Sequence, residues 1–134
     1  MEAGARIVTL PEIADARGRL MFGEEGRHIP FAIKRIFAIY GVREGERRGG
    51  HAHRQLEQFI IMLAGECRIT IRDGANVSEQ CLRTPTDGLY VPPVIWIELD
   101  AFSEGAVCLV LTSAAYDEAD YIRDYTEFER LARR

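Results

Sequence analysis

Two histidines separated by one residue are the most informative feature for chemistry in this sequence. His51 and His53 lie in the stretch RRGGHAHRQLEQFIIMLAGE, behind two arginines and two glycines. On a β-strand, successive side chains alternate between the two faces, so both imidazoles would point to one side and Ala52 to the other. If the strand continues without a bulge, Gln55 and Glu57 share the side of the histidines. The pattern therefore predicts two imidazoles that can reach one cavity.

One interpretation of this pair is a metal site. The segment nearly fits the first cupin motif, Gly-x5-His-x-His-x3-Glu-x6-Gly, with Gly45, His51, His53 and Glu57 in place and the last glycine one residue late. The usual fourth ligand is a histidine from a later strand, but the third histidine of this chain, His28, precedes the pair. Two histidines and one carboxylate can still bind iron or zinc with open coordination positions.

Two other interpretations need no metal. An imidazole has an unperturbed pKa near 6.5, so it can accept and donate a proton near neutral pH. Two of them in one cavity could act on neighbouring atoms of a substrate, with arginine, lysine or tyrosine donors stabilising a developing oxyanion. The structural alternative is that both imidazoles are hydrogen-bonded groups in a barrel wall. Motif spacing alone does not decide among the three.

Four more residues carry chemistry that could meet a ligand in the same cavity: Arg17, Tyr40, Arg48 and Trp96. Arg48 is a candidate phosphate contact, with a solvated loop as its structural alternative. Trp96, between two isoleucines, could stack on a base or a sugar or could belong to the core. For Arg17 the alternative is a surface turn, and for Tyr40 it is packing at a strand end.

Short apolar runs separated by turn signals predict an all-β sandwich or barrel as the body that positions these residues. The predicted strands lie within 31–42, 57–63, 66–72, 77–82, 85–99 and 106–112. Pro92-Pro93 interrupts the fifth of these runs, because proline cannot donate to a central ladder. Ala64-Gly65 and Asp73-Gly74 predict tight connections, and 43–50 reads as a polar loop.

The end of the chain has the pattern of a helix. In YDEADYIRDYTEFERLARR, apolar residues recur at three-residue steps: Ile122, Tyr125, Phe128 and Leu131. Asp117 is a plausible N-cap, acidic residues follow it, and arginines gather at the end. The segment predicts one amphipathic helix packed on the β body.

Length and composition restrict the class of protein. A chain of 134 residues predicts one domain, spanning 1–134. The net charge of −4 and pI of about 5.4 argue against a general affinity for nucleic acid. No apolar run reaches the roughly 18 residues that span a membrane, and the first residues do not resemble a signal peptide. Three cysteines without a CxxC pair predict reduced thiols in a cytoplasmic protein rather than a disulfide framework.

Three stretches together resemble a known family. IPFAIKRIFAIYGV, ERRGGHAHRQLEQ and GLYVPPVIWIELDAFSEGAVCLVLTSAAYDEADYIRDYTEF are similar to the WxcM/FdtA-like cupins, the sugar-nucleotide 3,4-ketoisomerases. The resemblance extends from about residue 15 to 128. The segments RGxHAHR and YDExDYIRDYxxF make it more specific than a general cupin match.

The resemblance implies a cupin barrel (a double-stranded β-helix, or jelly roll) with a C-terminal α-helix. It implies a homodimer with exchanged N-terminal strands and neither a metal nor another cofactor. It also implies a small-molecule substrate, dTDP-4-keto-6-deoxy-D-glucose, in pathways to amino sugars of bacterial surface glycans. No nucleic acid or membrane partner is expected.

The same resemblance makes His51 and His53 the catalytic pair, with His51 expected as the main base. One imidazole would remove the C3 proton, and the enediolate would be reprotonated at C4, leaving the ketone at C3. Arg17 would lie near the sugar or the diphosphate, and the pair Arg17-Gly18 goes with a galacto-configured product.

Two positions depart from the family pattern. Phe37-Ala38 stands where family members commonly carry tyrosines, so a hydroxyl is absent there unless Tyr40 replaces it. Ile97 stands where an arginine is common, which removes one possible cationic contact. Two other functions remain open from the sequence: a metal-dependent cupin oxygenase and a non-catalytic sugar-binding cupin.

Overall fold

The computed structural model describes residues 4–133, which form antiparallel β-strands followed by one α-helix. The predicted domain limits at residues 1 and 134 lie outside the described residues. The strands are β1 (Arg6–Thr9), β2 (Glu12–Asp15), β3 (Gly18–Met21), β4 (Arg35–Tyr40), β5 (Arg48–His53), β6 (Gln58–Ala64), β7 (Cys67–Arg72), β8 (Val77–Leu82), β9 (Asp87–Val91), β10 (Trp96–Asp100), β11 (Val107–Thr112) and β12 (Tyr121–Ile122). A 3₁₀ turn covers Glu118–Asp120, and α1 covers Tyr125–Ala132.

The strands form two five-stranded sheets and a separate hairpin. The first sheet has the order β1-β9-β6-β11-β4, and the second has the order β12-β5-β10-β7-β8. Strands β2 and β3 pair with each other. The predicted all-β body with a C-terminal helix is therefore confirmed.

The main core lies between the two sheets, where the alternating residues of each strand meet. In β7 the inward residues are Cys67, Ile69 and Ile71, all buried, while their neighbours are half-buried. Cys108 and Val110 of β11 meet them from the first sheet. Alternate burial of this kind is the expected result when a half-apolar strand closes one face on a core.

Two smaller clusters cover the outer faces of the sheets. On the first sheet, Phe59, Ile61 and Leu111 pack under the connecting segment that contains Ile29 and Phe31. On the second sheet, the helix packs on an outer cluster of Ala52, Trp96, Ile122 and Phe128, which we call the helix-side cluster. Because Ala52 lies in this outer cluster, the opposite face of β5 is directed toward the barrel interior.

The predicted C-terminal helix is correct in type but wrong in extent. Asp117 does cap a helical turn, because its side chain accepts a hydrogen bond from the Ala119 amide, but that turn is a short 3₁₀ segment. The chain is then extended at Tyr121–Ile122, which pair with β5. The α-helix begins only after Asp124, whose side chain accepts from the Thr126 amide. Backbone pairing with β5 overrides the apolar three-residue spacing.

Most predicted strands were located to within a few residues, with β8 matching the predicted 77–82. The run 31–42 is a strand only at Arg35–Tyr40, and the polar loop 43–50 ends early because β5 begins at Arg48. The first three strands were not predicted. Each has four residues, and β2 is exposed throughout, so no alternation marks it.

The cysteines agree with the prediction of free thiols. Cys67, Cys81 and Cys108 form no disulfide. Burial raises the pKa of Cys67 and of Cys108 to about 12, so neither thiol is reactive at neutral pH. Over residues 4–133, no helix has the length and apolar character needed to cross a bilayer.

Candidate active site

A β-bulge at two glycines sets the position of the histidines. Gly49 pairs with Glu98 while His51 pairs with Ile97, so Gly50 is the extra residue of β5. Both glycines have positive φ, +84° and +80°, a backbone conformation that glycine adopts without strain. The bulge keeps Arg48 and Gly49 paired with Leu99 and Glu98 while His51 pairs with Ile97.

Beyond the bulge, His51 and His53 both face the barrel interior, as strand alternation predicts. Their ring centroids are 5.1 Å apart, and the rings are nearly perpendicular. His53 is 4% exposed and His51 is partly buried. The two imidazoles therefore form one unit in the wall of the barrel.

Asp120 holds His53 in a defined orientation. Its carboxylate lies 3.1 Å from Nδ1 of His53 and accepts hydrogen bonds from the backbone amides of Gln55 and Leu56. Because a carboxylate accepts, Nδ1 is the protonated nitrogen and Nε2 carries the lone pair. Burial lowers the pKa of His53, and the charge of Asp120 opposes that shift.

His51 is neutral at physiological pH. Burial, followed by the nearby His53 and Arg123, lowers the pKa of His51 from 6.5 to about 4. Its Nδ1 atom is buried without a hydrogen-bond partner in residues 4–133, which leaves Nε2 as the nitrogen that can reach a ligand. A neutral imidazole is the form that can accept a proton.

Tyr121 packs against both imidazoles. Its ring centroid lies 4.9 Å from that of His51 and 4.4 Å from that of His53. The Arg123 guanidinium covers the ring at 4.2 Å, and Glu118 binds that guanidinium through two hydrogen bonds of 2.8 and 3.0 Å. The Arg123 hydrogen bond lowers the pKa of Glu118 to about 2, so the pair stays ionised. The segment after β11 is thus fastened over the histidines.

The histidines open onto two cavities. The first, which we call the barrel cavity, has a volume of about 430 Å³ and contains His51 in its wall. Apolar residues, among them Phe37, Ile60 and Val110, line its inner part. Four arginines and no carboxylate from residues 4–133 line it: Arg35, Arg47, Arg48 and Arg123. This charge composition fits an anionic ligand with a partly apolar end.

The second, the side cavity, has a volume of about 330 Å³ and contains His53 and Asp120 in its wall. Arg35 and Tyr121 line both cavities and separate them. The prediction of one shared cavity is therefore met only in part: the imidazoles lie side by side, but each borders its own space.

Comparison with known proteins decides the family. The model of the family described as FdtA, WxcM-like, C-terminal, matches residues 3–133. The chain belongs to this family. It is 43% identical over 125 residues to TDP-4-oxo-6-deoxy-α-D-glucose-3,4-oxoisomerase of Aneurinibacillus thermoaerophilus, covering 93% of this chain and 90% of that relative.

Solved structures of relatives share the whole fold. A 3,4-ketoisomerase from Helicobacter canadensis is 42% identical, with a TM-score of 0.93 over 98% of both chains. A histidine-to-asparagine mutant of the 3,4-ketoisomerase QdtA from Thermoanaerobacterium thermosaccharolyticum, in complex with TDP-4-keto-6-deoxyglucose, is 37% identical. Its TM-score is 0.96 over 99% of this chain and 96% of that one. Both the family and the cupin-like barrel predicted from the sequence are confirmed.

Within this FdtA-like chain, the other predicted site residues lie at different places. Arg48 lines the barrel cavity at its exposed rim. Tyr40 ends β4 on the outward side, 73% exposed, and Trp96 is 5% exposed in the helix-side cluster, where its indole N–H donates to Glu98. The Arg17 side chain is 90% exposed in the β2–β3 turn and is ion-paired with Asp15. Within one chain, only Arg48 of these four borders a cavity that contains a histidine.

Glu57, the carboxylate of the cupin-like motif, binds other residues rather than the histidines. Its carboxylate accepts a 2.6 Å hydrogen bond from Tyr90, and its backbone amide donates to Ser113. Glu57 and Gln55 line the side cavity, but they follow β5 on a turn rather than on the strand. Over residues 4–133, no three His, Cys, Asp or Glu side chains are grouped so that they could hold a metal ion.

Five residues near the histidines were not predicted from the sequence: Asp120, Tyr121, Arg123 and Arg35, which act on the imidazoles, and Gln58, which lines the barrel cavity with His51. The family-like segment YDExDYIRDYxxF contains three of them, but its helical spacing assigned it to a helix. Asp117, Glu118 and Asp120 match the N-cap and acidic first turn of the predicted helix, so the sequence carries no local signal that Asp120 binds His53 instead.

Proposed function

We propose that this protein is an isomerase that converts a TDP-linked 4-keto-6-deoxyhexose to its 3-keto isomer, most specifically TDP-4-keto-6-deoxyglucose. The observation that carries the proposal is the pair of neighbouring imidazoles beside a cavity lined by arginines and no carboxylate. The relatives named 3,4-oxoisomerase and 3,4-ketoisomerase support it. They do not favour a metal-dependent oxygenase or a non-catalytic sugar-binding cupin.

The lining of the barrel cavity fits the two ends of such a substrate. The exposed guanidinium groups of Arg47 and Arg48 suit the diphosphate, because arginine binds phosphate oxygens through parallel hydrogen bonds. The apolar wall of Phe37, Ile60 and Val110 suits the methyl group at C6. The sugar would then lie against His51.

The reaction needs only proton transfers. Nε2 of His51 removes the C3 proton, the C3–H electron pair forms a C3=C4 double bond, and the C4 ketone becomes an oxyanion. Reprotonation at C4, loss of the O3 proton and gain of a proton at O4 give the 3-ketone with no net change in composition. His53, oriented by Asp120, is the second imidazole available for these transfers. A positioned acid or base contributes about 10²–10⁴ in rate.

A second copy of the chain is proposed as the partner. The β2–β3 hairpin pairs with no other strand of residues 4–133, and Ile13 and Leu20 are exposed on it. Strand β4 is an open sheet edge with Ile36 and Tyr40 exposed. Exposed apolar strands of this kind are natural pairing surfaces. Exchange of the hairpin would carry Arg17 to the site of the other copy.

Light scattering tests the dimer. Ile36→Glu should shift the mass from dimer to monomer, whereas Val77→Glu, at the exposed edge of the second sheet, should not. A wild-type monomer at micromolar concentration would contradict the exchange.

We place the protein in the cytoplasm, where its three free thiols stay reduced.

Incubation of the protein with TDP-4-keto-6-deoxyglucose in deuterated buffer tests the reaction. Carbon-13 NMR should show the carbonyl at C3 and deuterium at C4. In a parallel reaction in ordinary water, where C4 keeps a proton, a small H4–H5 coupling should show the galacto configuration. His51→Asn and His53→Asn should reduce kcat by at least about 10², while the third histidine provides the control His28→Asn with unchanged kcat. An unaltered sugar after long incubation would reject the function.

A further inference from the structure

The inner face of the first sheet carries one polar row among apolar ones. Thr112 of β11 pairs with Arg35 of β4 on one side and with Gln58 of β6 on the other. The next inward row along these strands is Phe37, Val110 and Ile60. Because paired residues share a face, Gln58 and Arg35 flank Thr112 at the level where the apolar lining ends.

Gln58 lies in the wall of the barrel cavity, and its side chain is not bound to any other part of residues 4–133. Its residue is 5% exposed, its side chain makes no hydrogen bond to residues 4–133, and it lines the barrel cavity. Thr112, which lies between Gln58 and Arg35 in this row, does have a partner, because its hydroxyl donates to the Ala114 carbonyl at 2.8 Å. The Gln58 carboxamide is not fully enclosed, so it faces the space of the barrel cavity. A carboxamide that faces a cavity and is not bound to the protein can offer both a donor and an acceptor to a ligand.

Arg35 is a cation without a neutralising partner. No carboxylate in the described part of the chain forms an ion pair with it, and its contacts are the Phe37 ring at 4.8 Å and the Tyr116 ring at 5.5 Å. It is partly buried and lines both cavities with Tyr121. The other arginines of the barrel cavity differ from it. Arg123 is paired with Glu118, and the remaining two are exposed at the rim.

The isomerisation creates a negative charge that needs such a cation. When the C3 proton leaves, the charge moves to O4 of the enediolate, and no other side chain on this wall of the barrel cavity is cationic. The ring that follows on the same strand, Phe37, brings no hydroxyl to the site. Preorganised donors aimed at a developing oxyanion are worth about 10²–10³ each in rate.

We propose that Arg35 and Gln58 bind the O3 and O4 oxygens of the sugar, and that the Arg35 guanidinium stabilises the enediolate oxyanion. This inference rests on the proposed ketoisomerase function. It places the proton-transfer groups on the second sheet and the oxyanion donors on the first, with the sugar ring between them. Arg35 acts on the transition state, whereas the rim arginines act on the diphosphate.

Steady-state kinetics can separate stabilisation of the transition state by Arg35 from binding of the diphosphate by the rim arginines. Arg35→Gln should lower kcat about 10²–10³-fold, with KM and the affinity for TDP changed less than about threefold. Arg35→Lys should recover part of kcat, because it restores the charge but not the paired donors. Gln58→Met should lower kcat about tenfold. Arg47→Gln, at the rim, should instead raise KM and weaken TDP binding, and Arg83→Gln, an exposed arginine outside the cavities, should match wild type.

Exchange of the C3 hydrogen with deuterated solvent gives a second readout. If Arg35 stabilises the enediolate, Arg35→Gln loses C3 exchange and isomerisation by the same factor. Weakened TDP binding in Arg35→Gln with unchanged kcat would assign Arg35 to the diphosphate and overturn the proposal. Retained exchange with lost isomerisation would also overturn it. Wild-type protein that binds TDP but neither exchanges nor isomerises would reject the proposed function instead, and this inference with it.

Discussion

Tyr121 and His53 lie directly opposite each other on paired strands, and their ring centroids are 4.4 Å apart. The same tyrosine ring lies 4.9 Å from that of His51. One side chain from the C-terminal segment therefore limits the motion of both imidazoles. The histidine pair of β5 is held by a strand that lies almost seventy residues later in the chain.

The ring of Tyr121, rather than its hydroxyl, should carry this role. Tyr121→Phe should keep kcat within about threefold, because the ring contacts remain. Tyr121→Leu should lower kcat by about 10–10², since small displacements of positioned groups have effects of that size. Steady-state kinetics and the melting temperature of both variants check this. Equal loss in the two variants would assign the role to the hydroxyl.

Asp120 should control which nitrogen of His53 carries the proton. In Asp120→Asn, the amide nitrogen cannot accept the Nδ1–H bond, so the imidazole is pushed toward the other tautomer. We expect kcat to fall about 10²-fold with little change in KM, and the free energy of unfolding to fall by about 1–2 kcal/mol. Nitrogen-15 NMR of the imidazole reports the tautomer directly.

Asp124→Asn is the matched control for Asp120. Asp124 caps the α-helix in the same segment, and asparagine is an equally good N-cap. This variant should leave both kcat and the His53 tautomer unchanged. A wild-type tautomer in Asp120→Asn would contradict the orienting role.

Protonation of His51 should make the fold sensitive to mild acid. The pKa of His51 is about 4 in the folded protein, against 6.5 as its ordinary value. Above pH 6.5 the group is neutral in both states and stability is unaffected. As pH falls from 6.5 toward 4, the unfolded chain binds more protons, so the free energy of unfolding falls, by at most about 3 kcal/mol.

Urea unfolding at pH 7.5, 6.0 and 5.0 measures this dependence. His51→Gln should remove a large part of the loss between pH 6.5 and 4, because glutamine does not titrate. The acid limb of kcat/KM should also lie well below pH 6, as the free enzyme keeps His51 neutral there. An acid limb centred at 6.5 would show that the imidazole is more solvated than its burial indicates.

The strand body could be predicted from sequence because its signals are local. The run 77–82 became β8 because Asp73-Gly74 forces a turn, Gly74 having a φ of +98°, and because β8 alternates with period two. The orientation of the histidines followed from the same alternation. These features depend on neighbours in sequence, which the printed chain shows.

The supporting part of the site could not be predicted because it depends on distant pairing. The spacing of Ile122 and Phe128 suits a helix, and both are fully buried in the helix-side cluster although Ile122 is on a strand. Backbone pairing of Tyr121 with His53 decides the conformation. Asp120 reaches His53 only because of that pairing, which no local pattern encodes.

The two glycines of the β5 bulge should differ sharply in tolerance. A methyl group at Gly49 would lie 2.9 Å from the Ile97 carbonyl oxygen, so backbone must move, whereas a methyl group at Gly50 meets nothing within 4 Å. Both have positive φ, which costs a non-glycine residue about 1–2 kcal/mol. Gly50→Ala should therefore lose about that amount. Gly49→Ala should lose at least about 1 kcal/mol more.

The same pair tests whether the bulge sets the catalytic geometry. Because Gly49→Ala must displace β5 or β10 beside His51, we expect kcat to fall at least about tenfold. Gly50→Ala should keep kcat near the wild-type value while showing its smaller stability loss. Urea unfolding and kcat measured on both variants separate the two effects. Equal losses of kcat at both positions would mean that left-handed backbone conformation, and not the close approach to Ile97, determines where His51 lies.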